Sequence, residues 1–292
     1  MLKKVERSAF VWRLVLTPSL DGYLNMAIDE LLLEEAKEGR RPPTLRFYEW
    51  RGDWVSYGYF QTPQKALNLE AVEKLGVKAV RRLTGGRAVV HSEDLTYSLV
   101  AGDAHSQDLG SSLRETYRQI ARALTSGFTR LGLPVASFSG KKESRQVRPD
   151  GTVPCFMTLS DFEISVGGKK LVGSAQFRQG QAFLQHGSIP LSLYNRRLAQ
   201  EVLRKKEKNG GADSDGVSDF SSRYAVLEEA AKEKISVEKL TAALQQGFAD
   251  AFGIEFEAEK FSDRQKQTAE KLAEKYASED WNEREGKVVP VG

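Results

Sequence analysis

The stretch PCFMTLSDFEISVGGKKLVGSAQFRQGQAFLQHGSI, Pro154 to Ile189, decides how the rest of the chain is read. Phe162, Ile164 and Val166 alternate with Glu163 and Ser165, the period of two expected of a half-buried strand. Gly167-Gly168 is a tight hairpin signal. Lys169 to Arg178 reads as the returning strand, and Phe183 to Ile189 as the next strand out. Gly173, Ser174 and Ala175 are small enough for a ligand or a second backbone to come close. A hairpin closed at Gly167-Gly168 gathers a thiol (Cys155), an amine (Lys169 or Lys170) and small-residue backbone into one groove. Those are the parts needed to handle an activated acyl group.

Each part also has an ordinary reading. A lone cysteine is commonly a small buried hydrophobe, inert unless its thiolate is stabilised. Lysines beside a Gly-Gly turn are most simply solvated hairpin charges. His186 reads equally well as a hydrogen-bonded core residue.

Upstream, VRRLTGGRAVVHSEDLTYS, Val80 to Ser98, is the second informative stretch. Val80-Arg81-Arg82 ends a strand, Ala88 to Val90 and Leu95 to Val100 are strand-like, and Thr84-Gly85-Gly86-Arg87-Ala88 is a glycine turn between them. Consecutive backbone N–H groups in such a turn can hold a carbonyl oxygen or a phosphate, with Arg82 and Arg87 adding charge. Neither a dinucleotide fingerprint nor a Walker A loop is present. A plain structural hairpin is the competing reading, and His91 is ambiguous.

Around these lie ordinary elements. Phe10 to Leu16 reads as a strand, and Asp21 as the N-cap of a helix carrying Leu24, Ala27, Ile28, Leu31 and Leu32 on one face, with Asn25 and Asp29 flanking them. Thr44–Trp50 and Trp54–Phe60 read as strands, and Leu67 to Leu75 as a short helix. Leu113 to Leu131 is a long amphipathic helix. Ser139 to Thr152 is a basic loop leading into Cys155. The domain reading is a core over 1–190 and a mainly helical C-terminal part over 191–292. That part holds helices at 236–252 and 262–277, a short strand at 254–257 and a flexible, low-complexity loop at 208–222.

Composition excludes several classes. The 292 residues suffice for a sizeable core, and 43 basic against 40 acidic residues leave a net charge of only +3. A general nucleic-acid binder needs a dominant positive field. One cysteine excludes an intramolecular disulfide and suits a reducing cytoplasm. No run of about 18 or more apolar residues is present, so a soluble protein with no membrane partner is expected.

Five pieces occur in a fixed order: NMAIDELLL at Asn25–Leu33, RRLTGGRAVVH at Arg81–His91, DLTYS at Asp94–Ser98, GKKLVGSAQ at Gly168–Gln176 and LQHGSI at Leu184–Ile189. Together they resemble the lipoate/biotin protein ligase superfamily over most of residues 12 to 190. The resemblance implies an α+β fold, with a mixed, mostly antiparallel central sheet, flanking helices, a small helical C-terminal part and an acyl-binding tunnel. It implies that Lys170 contacts the acyl carbonyl. Arg82, Gly85 and Gly86 would line the acyl site, Gly173, Ser174 and Ala175 the strand beside it, and His91, His186 and Gly187 pocket positions.

The context of Cys155 is similar to that of the cysteine-dependent octanoyltransferases. Such enzymes take octanoate from octanoyl acyl carrier protein, hold it as a cysteine thioester and deliver it to a lysine of an apo lipoyl-domain protein. The H protein of the glycine cleavage system is the carrier this subclass suggests. Neither ATP nor any cofactor or metal is implied. The rivals are an ATP-dependent lipoate–protein ligase, an octanoyl amidotransferase acting between lipoyl domains, and a binding protein that keeps only the pocket.

Overall fold

The structure, a computed structural model, describes residues 10–104, 109–138, 162–203 and 224–283. The chain begins β1 (Phe10–Leu16), α1 (Gly22–Lys37), β2 (Thr44–Tyr48), β3 (Trp54–Tyr57), α2 (Pro63–Ala66), α3 (Leu69–Lys74), β4 (Lys78–Arg81), β5 (Val89–His91) and β6 (Asp94–Ala101). It continues with α4 (Leu113–Arg130), β7 (Val135–Phe138), β8 (Glu163–Val166), β9 (Lys169–Lys170), β10 (Gly173–Gln179) and β11 (Ala182–Pro190). Last come α5 (Leu193–Val202), α6 (Leu227–Ala231), α7 (Val237–Phe252), β12 (Ile254–Ala258), α8 (Asp263–Ala277) and α9 (Glu279–Asn282).

The central sheet has the order β10-β11-β6-β2-β1-β12. Its β10/β11, β11/β6 and β6/β2 pairs are antiparallel, and β1 pairs in parallel with β2 and β12. Two three-stranded sheets adjoin it, β4-β3-β5 and β7-β8-β9. The expected α+β architecture is what is seen.

Side chains alternate across a strand, so the central sheet has two chemically distinct faces. Trp12, Leu14, Leu45, Phe47, Leu95, Leu99, Phe183 and Ile189 point to one face and bury against Ile120, Leu124 and Phe128 of α4 and Leu240, Leu244 and Phe248 of α7. The helices come very close. A Cβ on Gly247 would stand 2.4 Å from the Gly127 nitrogen, so only glycine fits at this crossing. The other face carries Arg46, Tyr48, Asp94, Thr96, Ser98, His186 and Ser188, all buried, and is covered by α1 and the β4-β3-β5 sheet.

Segments beyond residue 190 are built into this core. β12 extends the central sheet beside β1, α7 packs on α4, and Ala269 of α8 joins the apolar cluster under α1. The loop at 208–222 lies outside the described residues.

Two local readings change. Lys169–Arg178 is not one strand. The Leu171 and Val172 N–H groups both donate to the Ile164 carbonyl (2.8 and 3.4 Å), a bulge-like arrangement of two residues against one. Leu171 and Val172 are consecutive apolar residues that both bury, which breaks the period of two. The chain thereby leaves the β8-β9 hairpin and enters the central sheet as β10. Similarly, the glycine turn is not a hairpin. β4 and β5 lie on opposite sides of β3, so Thr84–Ala88 is a crossover spanning the end of β3. The expected hairpin turn does hold at Gly167 and Gly168, whose φ values of +56° and +76° suit a tight turn between paired strands.

Candidate active site

The two informative stretches meet at the edge of the central sheet. β10 is the edge strand, and its Gly173, Ser174 and Ala175 pair with Ser188, Gly187 and His186 of β11. The crossover Thr84–Ala88 reaches this edge, since a Cβ on Gly86 would lie 3.5 Å from the Ala175 Cβ and 2.9 Å from Arg82 Nη2. Gly86 has a φ of +92°, which L side chains rarely adopt. The crossover rests on Gly58, where a Cβ would fall 2.1 Å from the Gly86 carbonyl oxygen.

Arg82 holds the crossover from within. It is buried, and its five N–H donors have five acceptors. Nε donates to Thr84 Oγ1 (3.0 Å), and Nη1 to Ser56 O and Oγ (3.0 and 3.2 Å). Nη2 donates to the Gly85 and Arg87 carbonyls (2.7 and 2.8 Å). All five acceptors are neutral. Burial pushes the guanidinium pKa down to about 10, as expected where a charge loses water without gaining a counter-ion. In a trans peptide the C=O and N–H point in opposite directions. With the Gly85 and Arg87 carbonyls turned toward Arg82, the N–H groups of Gly86 and Ala88 face away from it. Two such donors are what a developing oxyanion needs.

The two histidines lie behind this crossover. His91 bonds through Nε2 to Ser56 Oγ (2.8 Å) and through Nδ1 to Asp94 Oδ2 (2.9 Å), and it stacks on Trp50. His186 bonds through Nε2 to Thr84 Oγ1 (2.7 Å) and through Nδ1 to Asp29 Oδ2 (3.0 Å). Both imidazoles thus commit both ring nitrogens inside the protein, the arrangement of satisfied core histidines. Burial lowers the His186 pKa despite Asp29.

Asp29 is 1% exposed. It accepts from Arg46 Nη1 (2.8 Å), Ser98 Oγ (2.8 Å) and Tyr48 OH (2.9 Å) besides His186. Burial opposes its charge, yet the His186 hydrogen bond and the Arg46 charge outweigh burial and hold its pKa below the usual carboxylate value. Because Arg82 bonds both Ser56 and Thr84, one polar network runs from Asp94 through His91, Ser56, Arg82, Thr84 and His186 to Asp29.

On the opposite face Tyr97 OH bonds Ser174 Oγ (2.8 Å) and accepts from Gln185 Nε2 (3.0 Å). Gly187 leaves the space for this. A Cβ there would stand 2.6 Å from both Ser174 Oγ and Tyr97 Cε1. Lys170 is half-exposed, paired with Glu163 across the hairpin (Nζ to Oε1, 2.6 Å). Its Cε lies 4.0 Å from where a Gly173 Cβ would be, within contact distance of the start of β10. Cys155 lies outside the described residues, in the segment joining β7 to β8. An open groove of about 560 Å³ between Asp21, Trp54, Lys78 and Glu274 includes none of the expected site residues.

Residues 21–249 match the lipoyl protein ligase A/B catalytic domain family. The chain belongs to this family. The match runs from the N-cap of α1 into α7 and spans both informative stretches. Within the lipoyl protein ligase family, the chain is 39% identical over 282 residues to Octanoyltransferase LipM of Moorella thermoacetica, covering 94% of this chain and 99% of that protein. It is 38% identical over 279 residues to Octanoyltransferase LipM of Kyrpidia tusciae, covering 94% and 98%. Among solved structures, lipoate-protein ligase A bound with ATP superposes with a TM-score of 0.74 at 25% identity, covering 94% of this chain and 98% of that one. The bipartite lipoate protein ligase of Thermoplasma acidophilum, solved in a study of it and its E2 lipoyl domain, shares the fold (TM-score 0.72, 23% identity, 97% and 100% covered).

Sequence reasoning did not single out Asp29, Thr84, Ser56 and Asp94 as members of the network behind the crossover. A signal for Asp29 was present. α1 is apolar over Met26, Ala27, Ile28, Leu31, Leu32 and Leu33, too much of its circumference to leave Asn25 and Asp29 a solvated face.

Proposed function

We infer that this chain is an octanoyltransferase that takes octanoate from octanoyl acyl carrier protein and delivers it to the lysine of a lipoyl-domain protein, by way of a thioester on Cys155. The observation that carries this reading is the 34–39% identity, over nearly the whole chain, to relatives named octanoyltransferases. The H protein of the glycine cleavage system is the carrier we propose. The cytoplasm is the compartment we propose, and no described helix is long and apolar enough to cross a membrane.

The chemistry suits the residues. A thioester donor is already activated, so no adenylation is needed. The Cys155 thiolate adds to the donor carbonyl, and the carrier thiol leaves as the new thioester forms. In the second step the acceptor lysine, as a free amine, adds to that thioester. The amide forms as the Cys155 sulfur leaves, and the proton lost from the nitrogen balances the charge of the departing thiolate, restoring the thiol. In both steps the carbonyl oxygen gains negative charge. The Gly86 and Ala88 N–H groups and the Lys170 ammonium, at the start of β10, are the donors we assign to it. Gly85, Gly173, Ser174, Ala175 and Gly187 keep that edge free of bulk, while Arg82, His91 and His186 support it from behind. An eight-carbon chain gains roughly 0.8 kcal/mol per methylene buried in an apolar tunnel.

The test is intact mass spectrometry after incubation with octanoyl acyl carrier protein and no ATP. Wild type should gain one octanoyl group that hydroxylamine removes and an apo lipoyl domain accepts, and Cys155→Ser should gain none. Transfer that requires free lipoate or octanoate plus ATP would instead make the chain a ligase.

A further inference from the structure

We propose that Asp29 is a positioning residue for the acyl-transfer site, acting through His186 and Thr84 to set the crossover that carries the Gly86 and Ala88 N–H groups. The proposal rests on the octanoyltransferase reading for its kinetic consequence, and on geometry alone for its mechanism.

Consider the proton on each heteroatom. Asp29 Oδ1 receives Arg46 Nη1 and Ser98 Oγ, and Oδ2 receives Tyr48 OH and His186 Nδ1. Every group around the carboxylate is a donor. An ionised Asp29 therefore requires the proton of a neutral His186 to sit on Nδ1. Nε2 is then an acceptor, and the Thr84 hydroxyl is its donor at 2.7 Å. With its proton turned to His186, Thr84 Oγ1 presents its lone pairs to Arg82 Nε at 3.0 Å. That orientation sets the guanidinium plane, and Nη2 of the same plane holds the Gly85 and Arg87 carbonyls. Donor and acceptor roles thus pass without conflict from helix α1 to the crossover, with one consistent assignment.

Asp29→Asn breaks that assignment while keeping the shape. Arg46 has only donors, so the amide oxygen must take the Oδ1 position. The amide NH₂ then faces His186 Nδ1, which has to become an acceptor, and the ring proton moves to Nε2. Thr84 Oγ1 would then receive two donors, His186 Nε2–H and Arg82 Nε–H, and its own proton would lose its partner. The crossover shifts because its anchor no longer matches. Misplacing reacting groups by an ångström costs on the order of 10²-fold in rate.

The experiment has a spectroscopic arm and a kinetic arm. The sequence has three histidines, so ¹⁵N spectra of the imidazoles can be assigned with His→Gln variants. Wild-type His186 should be the Nδ1–H tautomer, and Asp29→Asn should convert it to Nε2–H. In transfer assays Asp29→Asn should lower kcat about 10²-fold with the donor KM near wild type, as for a displaced group that acts in the transition state.

Asp29→Asn leaves Arg46 without its counter-charge and can fail to fold, so Thr84→Val is the second variant. It leaves the Asp29 cluster intact, should stay folded, should show a comparable kcat loss and should shift the Gly86 and Ala88 amide resonances. Thr84→Ser should restore both. A folded Thr84→Val with wild-type kcat and unmoved amides, or an Nδ1–H His186 in folded Asp29→Asn, would overturn the proposal and leave Asp29 a core residue only. If the wild type moves no octanoyl group, the octanoyltransferase reading fails by itself, while the tautomer and amide shifts still decide the relay.

Discussion

The two faces of the central sheet are made by alternate residues of the same strands, yet they perform different tasks. In β6, Leu95, Leu99 and Ala101 point into the apolar layer under α4 and α7, while Asp94, Thr96 and Ser98 point into the buried polar layer under α1. Apolar packing is non-directional, so the first face supplies stability without fixing the direction of any one group. Hydrogen bonds and ion pairs in a buried layer tolerate little error, because an unmatched group there costs far more than a matched one gains. The second face therefore supplies precision, and it reaches the glycine crossover. The lesson is that the face reaching the crossover is the one whose geometry tolerates the least error.

The most damaging change should fall on the polar face. Arg46 bonds Asp29, Asn25 and Thr17 and is fully buried. Removing one member of a buried pair costs about 3–5 kcal/mol. Arg46→Met should lose that much in urea unfolding, and a smaller loss would mean that the polar face is a weaker structural element than its geometry suggests.

Phe128→Ala, on the apolar face, should also cost about 3–5 kcal/mol by leaving a cavity, but its folded molecules should transfer octanoate at the wild-type rate. A large drop in their kcat would dissolve the distinction between the faces. Gly187→Ala lies on β11 beside the edge strand, and its Cβ would press on Ser174 and Tyr97. It should cost about 1–3 kcal/mol by overpacking and slow transfer, both readable from a single purified variant.

Acid should act on the polar face selectively. Burial depresses the folded-state pKa of His186, so the unfolded chain binds its proton first. This part of the stability is complete above the ordinary histidine value of about 6.5 and is lost as pH falls from there toward the folded value. Asp29 is also depressed and adds a second loss below its ordinary value of about 3.9. Urea midpoints compared at about pH 7.5 and 5.5 should fall in wild type and change less in His186→Gln. The least costly change should be Glu163→Gln, which breaks a half-exposed pair worth about 0–1 kcal/mol. A wild-type melting temperature with an altered transfer rate would separate Lys170's pairing from the oxyanion role proposed for it.

Much of this molecule was legible in residue order. Period-two alternation marks β8, the Gly-Gly pair marks its turn, and Asp21 caps α1 as its side chain suggests. These features follow from local rules, in which a residue's neighbours in sequence are its neighbours in space. The ordered pieces around Lys170, Gly85-Gly86 and His186 also marked segments that the fold brings together at one edge of the central sheet, since each motif is short and contiguous.

What only the tertiary structure decided involves partners far apart in the chain. Asp29 and His186 are separated by 157 residues and Thr84 and His186 by 102, and no local pattern states that they share protons. The crossover at Gly85-Gly86 looked like a hairpin because a turn between two strands reads the same whether or not they are neighbours. β3 lies between them, and only long-range pairing could place it there. Likewise the segment 254–257 reads alone as an isolated short strand in a helical tail, and becomes part of β12, the sixth strand of the central sheet, only because β1 offers it an open edge. Sequence determined the elements and the chemistry on offer, and the pairing of distant strands determined which of those groups meet, because a sheet brings side chains together by register and not by proximity along the chain.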